Sequence, residues 1–194
     1  KPIYWEHGVT GCIAVQADQK LKENDFLLEQ AETNDFIKGI IGWVDLRSSK
    51  LKNDLDNYAQ YPIIKGYRHV VQAEPDPLFL LRKPFLNGIS ELQNRNLVYE
   101  ILVFPHQLPS VLEFVKLFPN VKFVIDHIAK PYIKEGYFES WALLMKELGQ
   151  IENVNCKISG MITEANYITW TTQEILPYME LVLEAFGPKR ILYG

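Results

Sequence analysis

Short apolar runs recur along this sequence at a nearly regular interval, and longer amphipathic segments separate them. The runs start about 23 to 36 residues apart, which suits a strand followed by a crossover helix. They are almost continuous in Val, Ile and Leu, as expected of parallel strands that helices cover on both faces. The seven predicted strands are Val9–Gln16, Ile37–Leu46, Ile63–Gln72, Val98–Phe104, Val121–His127, Val154–Ser159 and Arg190–Gly194.

Several of the intervening segments carry apolar residues at helical spacing. The proline that opens one of them, Pro109, suits the first turn of a helix, where a backbone N–H has no partner in any case. The four predicted helices are Asn24–Thr33, Pro109–Phe118, Phe138–Leu148 and Ile175–Phe186. Strands that alternate with helices predict a parallel α/β protein with right-handed crossovers.

Two parallel architectures compete for this pattern. An open doubly wound sheet usually has a glycine-rich phosphate loop after an early strand, but the first predicted strand here runs into VQADQK, which contains no glycine. A (β/α)₈ barrel needs eight strands. The sequence opens on KPIYWEHG, typical of a helix end, and finishes on RILYG, typical of a strand. We therefore expect one domain over residues 1–194, a barrel without its first strand and without the part after its last strand. A closed seven-stranded barrel is the alternative.

Composition limits the class of partner. The formal net charge is −4, and Lys and Arg are scattered, which argues against a nucleic-acid-binding protein. No run of about 18 apolar residues occurs, so we expect no membrane partner. Cys12 and Cys156 both lie in apolar runs and are predicted to be buried free thiols, which favours a cytoplasmic location. We expect a small-molecule substrate, and the open sheet edge favours a homo-oligomer.

The chemistry of a barrel is carried out at the carboxyl ends of its strands. His127 gives the sharpest signal there, because FVIDHIAKP places an acid and an imidazole where an apolar strand stops. A neutral imidazole binds zinc well and acts as an acid or base near neutral pH. The structural alternative is a histidine that caps the strand through a backbone hydrogen bond.

The other polar residues at strand ends also have two interpretations each. Lys157 interrupts VNCKISG, and because a lone buried ammonium is costly, it must bind a substrate carbonyl or carboxylate or pair with an acid such as Glu100. Arg68 could bind a carboxylate or sugar hydroxyls, or pack its stem under a loop. Gln16 ends the first strand, and His106 either contacts substrate or caps the following helix.

The succession of motifs resembles a known family. The segments VTGCIAVQA, IKGIIGWVDL, IIKGYRHVVQ, KFVIDHIAKP, CKISGM and RILYG are similar to the amidohydrolase-related branch of the amidohydrolase superfamily. Within it they most resemble the lactonases that act on L-fuconolactone, L-rhamnonolactone and 2-pyrone-4,6-dicarboxylate. The Asp-His-x-x-Lys-Pro and Cys-Lys-x-Ser-Gly segments are fairly specific in combination.

The resemblance implies a (β/α)₈ TIM barrel of the metal-dependent hydrolase type that opens a small lactone by water attack on the ring carbonyl. The family's mid-barrel histidine corresponds to His127, its arginine to Arg68 and its lysine to Lys157. The family's first-strand His-x-His and last-strand Asp have no counterpart in residues 1–194. Two alternatives follow for the cofactor: one divalent metal, preferably zinc, with His127 as a ligand, or no metal.

These arguments give a set of predicted roles. The predicted catalytic residues are His127 and Lys157, and the predicted substrate-binding residues are Arg68, Gln16, Glu100 and His106. The alternatives to a lactone hydrolase are a decarboxylase of the same superfamily and a catalytically silent binding protein.

Overall fold

Seven parallel strands make up the sheet of this protein, whose computed structural model describes residues 2–194. All seven predicted strands are confirmed, and they pair in sequence order from first to last. This order excludes the doubly wound alternative, in which the strand order reverses within the sheet. The strands are β1 (Cys12–Val15), β2 (Ile37–Gly42), β3 (Ile64–His69), β4 (Val98–Ile101), β5 (Phe123–Ile125), β6 (Val154–Ile158) and β7 (Ile191–Tyr193).

The observed strands are shorter than the predicted runs, mostly at their carboxyl ends. The ladder of β2 stops at Gly42, yet Val44 and Leu46 beyond it are almost completely buried. The loops at this end of the sheet continue to pack into the core after the ladder hydrogen bonds stop. Apolar sequence therefore reports burial here rather than strand pairing.

The four predicted helices are also confirmed, with their ends displaced by a few residues. Three helices were not predicted: Leu51–Tyr58, Lys83–Asn94 and the single turn Met161–Glu164. The first buries only Leu51 and Leu55, and the second contains Pro84 and Gly88, residues that weaken a helical signal. The helices are α1 (Pro2–Glu6), α2 (Leu21–Glu32), α3 (Leu51–Tyr58), α4 (Lys83–Asn94), α5 (Leu108–Leu117), α6 (Glu139–Gly149), α7 (Met161–Glu164) and α8 (Thr172–Phe186).

The sheet curls into a half-barrel that does not close on itself. Within residues 2–194, β1 pairs only with β2 and β7 pairs only with β6, so the closed seven-stranded alternative is wrong. The prediction that Cys12 is buried is also wrong, because Cys12 lies on the edge strand β1 and is exposed. Cys156 is buried as predicted, since β6 has a neighbour on each side.

An aromatic cluster fills the space between the middle of the sheet and its helices. The ring of Phe114 from α5 lies 5.2 Å from that of Phe123 on β5 and 6.0 Å from that of Tyr99 on β4. Phe85 from α4 stacks edge-on against Tyr99 at 5.7 Å, an arrangement that aromatic pairs prefer. The cluster anchors the strands from β3 through β5, whose carboxyl ends carry polar side chains.

None of the helices described in residues 2–194 is long and apolar enough to cross a membrane.

We expect Gly88→Ala to lower the free energy of unfolding by about 1–3 kcal/mol, because the added methyl overpacks a closed contact. A Cβ at Gly88 would overlap the carbonyl oxygen of Leu46 and lie 2.7 Å from its Cβ. Urea unfolding measures the change. The control is Ser90→Ala in the same helix, because among the described residues the Ser90 hydroxyl bonds only the carbonyl of Leu86. An unchanged stability of Gly88→Ala would contradict the close approach of α4 to the loop after β2.

Candidate active site

A cavity of about 270 Å³ opens at the carboxyl end of the sheet. Its wall is built from the segments that follow four consecutive strands, β3 to β6, which is where barrel enzymes place their chemistry. The residues that line it are Arg68, Gln72, Leu102, His127, Lys130, Gly160 and Thr163.

A second cavity of about 450 Å³ lies against α3 at the start of β3. It is larger, but the one arginine on its wall, Arg95, is already paired with Asp56 at 2.8 Å and with Glu91 at 2.7 Å. The smaller cavity combines the imidazole of His127 with Arg68, whose Nε is buried and has no hydrogen-bond partner among residues 2–194. We therefore take the smaller cavity as the candidate active site.

The backbone after β5 turns in an unusual way to place His127 on the cavity wall. Four consecutive residues, His127 to Lys130, have positive φ angles between 47° and 57°, and none of them is glycine. This left-handed conformation costs roughly 1–2 kcal/mol per residue. Its surroundings hold it: Lys130 N–H donates to the carbonyl of His127 at 2.8 Å, and Trp141 Nε1 donates to the carbonyl of Ile128 at 2.8 Å. Strain retained in this way is characteristic of functional sites.

The imidazole of His127 is fixed from the neighbouring strand. Its Nδ1 lies 2.7 Å from the hydroxyl of Ser159, at the end of β6. Gly160, with φ of +70°, follows, and a Cβ at that position would lie 2.9 Å from the Cβ of His127. Burial lowers the pKa of His127, so the ring is neutral at pH 7. With Nδ1 engaged, Nε2 is the nitrogen available to a ligand in the cavity.

Four charged side chains form a connected network beneath the cavity. Asp126, which is fully buried, binds Arg68 Nη1 through Oδ2 at 2.8 Å and lies 2.7 Å from Lys157 Nζ through Oδ1. Lys157 Nζ also donates to Glu100 Oε2 at 2.6 Å. Two cations thus face two carboxylates. Lys157 pairs with Glu100, which is one of the two interpretations of Lys157 described above. Glu100 lies on β4, two strands away from β6, and the two side chains meet across the barrel interior.

The network ties the base of the cavity to β1. The guanidinium of Arg68 donates through Nη2 to the backbone carbonyl of Gln16, and the side-chain amide of Gln16 donates to the carbonyl of Arg68 at 3.1 Å. Arg68 Nε is buried and has no hydrogen-bond partner within residues 2–194. A buried unpaired donor on a cavity wall favours an acceptor supplied by a ligand or by water.

The structure therefore separates the predicted site residues into two groups. Arg68 and His127 line the cavity. Gln16, Glu100 and Lys157 are buried beneath it, so their positions do not support the direct substrate contact predicted for Gln16 and Glu100 or a direct catalytic contact for Lys157. They are held there by the ion pairs and backbone bonds of the network, which sequence spacing does not reveal.

The remaining predicted residue, His106, lies outside the cavity. It is exposed, its Nδ1 is 3.1 Å from the hydroxyl of Tyr132, and its ring stacks on Phe104 at 6.2 Å. Three polar residues of the wall had no predicted role: Gln72, Lys130 and Thr163. Gln72 ends a predicted strand and Lys130 follows one, the positions at which barrel chemistry is expected, but neither was assigned a role, whereas Thr163 lies in α7 without any sequence signal.

Glu100 predicts a measurable pH dependence of stability. Burial, reinforced by the charge of Asp126, raises the pKa of Glu100 to about 7. The unfolded carboxyl titrates near its ordinary pKa of about 4.3, so between these values the folded state binds more protons and stability falls as the pH rises. We expect Glu100→Gln to flatten this decline in urea unfolding between about pH 4.5 and 7. A steeper decline in the variant would contradict the raised pKa.

The described residues do not by themselves form a metal site. Within residues 2–194, no three His, Cys, Asp or Glu side chains lie together in a way that could hold an ion. Both carboxylate oxygens of Asp126 face cations, and His127 supplies a single ring nitrogen. A protein zinc site takes three or four ligands, so these residues do not fit one.

Comparison with known proteins places this chain among hydrolases. The family model described as amidohydrolase matches residues 3–194. The chain is 32% identical to the L-fucono-1,5-lactonase of Burkholderia ambifaria over 194 residues, which cover 100% of this chain and 67% of that enzyme. It is 26% identical to the L-rhamnono-gamma-lactonase of Scheffersomyces stipitis over 157 residues, which cover 71% of this chain and 46% of that enzyme.

The fold is similar to that of a solved structure as well. The crystal structure of an amidohydrolase from Burkholderia multivorans with bound zinc superposes with a TM-score of 0.93 at 32% sequence identity. The match covers 100% of this chain and 70% of that chain. The sequence comparison and the fold comparison therefore both point to proteins described as amidohydrolases.

Proposed function

We propose that this chain, which belongs to the amidohydrolase family, carries the site of a hydrolase that opens a small sugar-derived lactone. The observation that carries the proposal is its 32% identity, over the whole chain, to an enzyme named L-fucono-1,5-lactonase. The similarity to an L-rhamnono-gamma-lactonase supports the same chemistry on a related substrate class. The half-barrel itself we assign to a (β/α)₈ TIM barrel, which its match to 70% of the Burkholderia multivorans amidohydrolase supports.

His127 is the residue to which we assign the proton transfers. Its lowered pKa keeps the ring neutral, and the hydroxyl of Ser159 at Nδ1 directs Nε2 towards the cavity. In the first step Nε2 takes a proton from a water molecule while the water oxygen bonds to the ring carbonyl carbon. The carbonyl oxygen becomes an oxyanion. When the carbonyl re-forms, the ring C–O bond breaks, and the proton on His127 passes to the leaving alkoxide to give the hydroxy acid.

Arg68 and Lys130 are the donors that we assign to the oxyanion. Both line the cavity; Arg68 Nε has no hydrogen-bond partner among the described residues, and Lys130 Nζ, which lies 3.1 Å from Glu164 Oε1, has further N–H donors to offer. Donors that are already oriented stabilise the charge that develops in the transition state. Lys157 does not reach the cavity wall, so we assign it a positioning role: it holds Asp126, which in turn holds Arg68.

The bound zinc is a feature of the Burkholderia multivorans structure, and we do not transfer it to this chain. Because the donors of residues 2–194 do not fit a divalent ion, the steps above use none. The two alternatives for the cofactor, one divalent metal or none, both stay predictions, with His127 as the one metal ligand that we assign within residues 2–194. The proposal also includes a small-molecule substrate, a cytoplasmic location and a homo-oligomer. The unpaired cysteines support the cytoplasmic location.

A titration assay tests the proposed function. The protein that carries this chain is mixed with L-fucono-, L-rhamnono- and other aldonolactones in weak buffer, and acid release is followed by pH-stat. We expect turnover above the rate of spontaneous hydrolysis with at least one sugar lactone. Release of carbon dioxide from aromatic acids, without acid release from any lactone, would assign the chain to a decarboxylase instead.

A further inference from the structure

The loop after β3 is held at its backbone by three other segments of the protein. The N–H of Val70 donates to Gln19 Oε1, the carbonyl of Val71 accepts from Gln107 Nε2, and the N–H of Gln72 donates to the carbonyl of Leu102, each at 2.9 Å. Gln19 follows β1, whereas Gln107 and Leu102 follow β4. Three successive residues are thus fixed by partners that are distant in sequence.

A hydrogen bond between two side chains closes the two ends of the same loop. His69, the last residue of β3, lies 2.6 Å from Glu74 through Nε2, and its ring stacks on Phe79 at 5.0 Å. The pair spans only five residues, and Gln72 lies between its members. The backbone position of Gln72 is therefore fixed by the fold.

Gln72 presents an unsatisfied acceptor at this fixed position. It lines the cavity, and its Oε1 is buried without a hydrogen-bond partner among the described residues. The charged residues of the same wall, Arg68 and Lys130, only donate hydrogen bonds. The cavity therefore offers an oriented acceptor beside cationic donors, an arrangement that suits a ligand carrying a hydroxyl next to a carbonyl or carboxylate.

We propose that Gln72 determines substrate specificity by accepting a hydrogen bond from a hydroxyl of the lactone ring. The proposal rests on the proposed function and deepens it: Arg68 and Lys130 bind the carbonyl end, and Gln72 selects polyhydroxylated rings over plain ones. A site that holds a buried acceptor for a hydroxyl rejects analogues that lack the hydroxyl, because the acceptor is then left unpaired.

The test compares a lactone that turns over with its analogues lacking one ring hydroxyl at a time. For the unmodified protein we expect one of these deoxy lactones to lose about tenfold or more in kcat/KM. Gln72→Met keeps the length of the side chain and removes the acceptor. We expect it to lower kcat/KM for the hydroxylated lactone by about the same factor and to leave the sensitive deoxy lactone unaffected.

Two further variants make the comparison decisive. Gln72→Asn shortens the side chain by one methylene and so withdraws the acceptor. Because asparagine is also polar, folding is preserved, and the variant should show the same selective loss of kcat/KM on the hydroxylated lactone. Gln60→Met is the control, because Gln60 is exposed and, within residues 2–194, its side chain bonds only the carbonyl of Asn57. Equal losses on both lactones, or no loss, in both Gln72 variants would overturn the proposal. If the unmodified protein hydrolyses no lactone at all, the proposed function itself has failed.

Discussion

Replacing His127 with asparagine is expected to lower kcat for lactone hydrolysis by about 10²- to 10⁴-fold, the usual contribution of a positioned acid or base. Asparagine suits the site for two reasons. It tolerates the left-handed backbone that His127 adopts at φ 51°, and its amide can bond the hydroxyl of Ser159 as the imidazole does. The substitution therefore removes the Nε2 group and leaves the turn after β5 in place.

Steady-state kinetics and urea unfolding of the same samples separate the two effects of this change. The unfolding midpoint should move little while kcat falls. His106→Asn is the matched control, because His106 lies outside the cavity and bonds only Tyr132 among the described residues. We expect that variant to change kcat by no more than a few-fold. Activity retained by His127→Asn would show that another group activates the water.

Replacing Lys157 with methionine is expected to lower the free energy of unfolding by about 3–5 kcal/mol, the cost of removing one partner from a buried ion pair. Without the ammonium, Glu100 loses its partner, and Asp126 keeps only Arg68. Methionine fills most of the same volume, so the loss reports charge rather than a cavity. Urea unfolding at pH 7 measures it.

A double variant distinguishes the network from simple packing. Adding Glu100→Gln to Lys157→Met restores one cation and one anion, Arg68 and Asp126, and should recover part of the lost stability. Lys116→Met on the exposed face of α5 is the control and should change stability by no more than about 0.5 kcal/mol. A loss below about 1 kcal/mol in Lys157→Met would mean that the four charges do not act as one buried network.

The fold could be predicted largely because parallel strands buried on both faces leave a strong sequence signal. All seven strands and four of the helices appear where apolar periodicity placed them. Helix α4 escaped prediction because Pro84 and Gly88 weaken its pattern, although Pro84 lies in the first turn and Gly88 makes a close contact with Leu46. Here tertiary packing outweighs local propensity. The extent of the domain, residues 1–194, stays a prediction.

The candidate site could be predicted only in part, because its organisation is non-local. Arg68 and His127 were found from their positions at strand ends. The left-handed turn that places His127 was not, since DHIAK contains no glycine to indicate positive φ. Gln72 was placed at a strand end but was given no role, because the hydrogen bonds that fix its loop are made with Gln19 and Gln107, which are far away in sequence.

Turnover in water enriched in oxygen-18 tests the central claim most directly. If a water molecule attacks the ring carbonyl, mass spectrometry of the hydroxy acid will find one labelled oxygen, and fragmentation will place it in the carboxylate. The ring oxygen then becomes an unlabelled hydroxyl. Label in that hydroxyl instead of the carboxylate would mean that the other C–O bond breaks, and it would contradict the mechanism assigned to His127, Arg68 and Lys130.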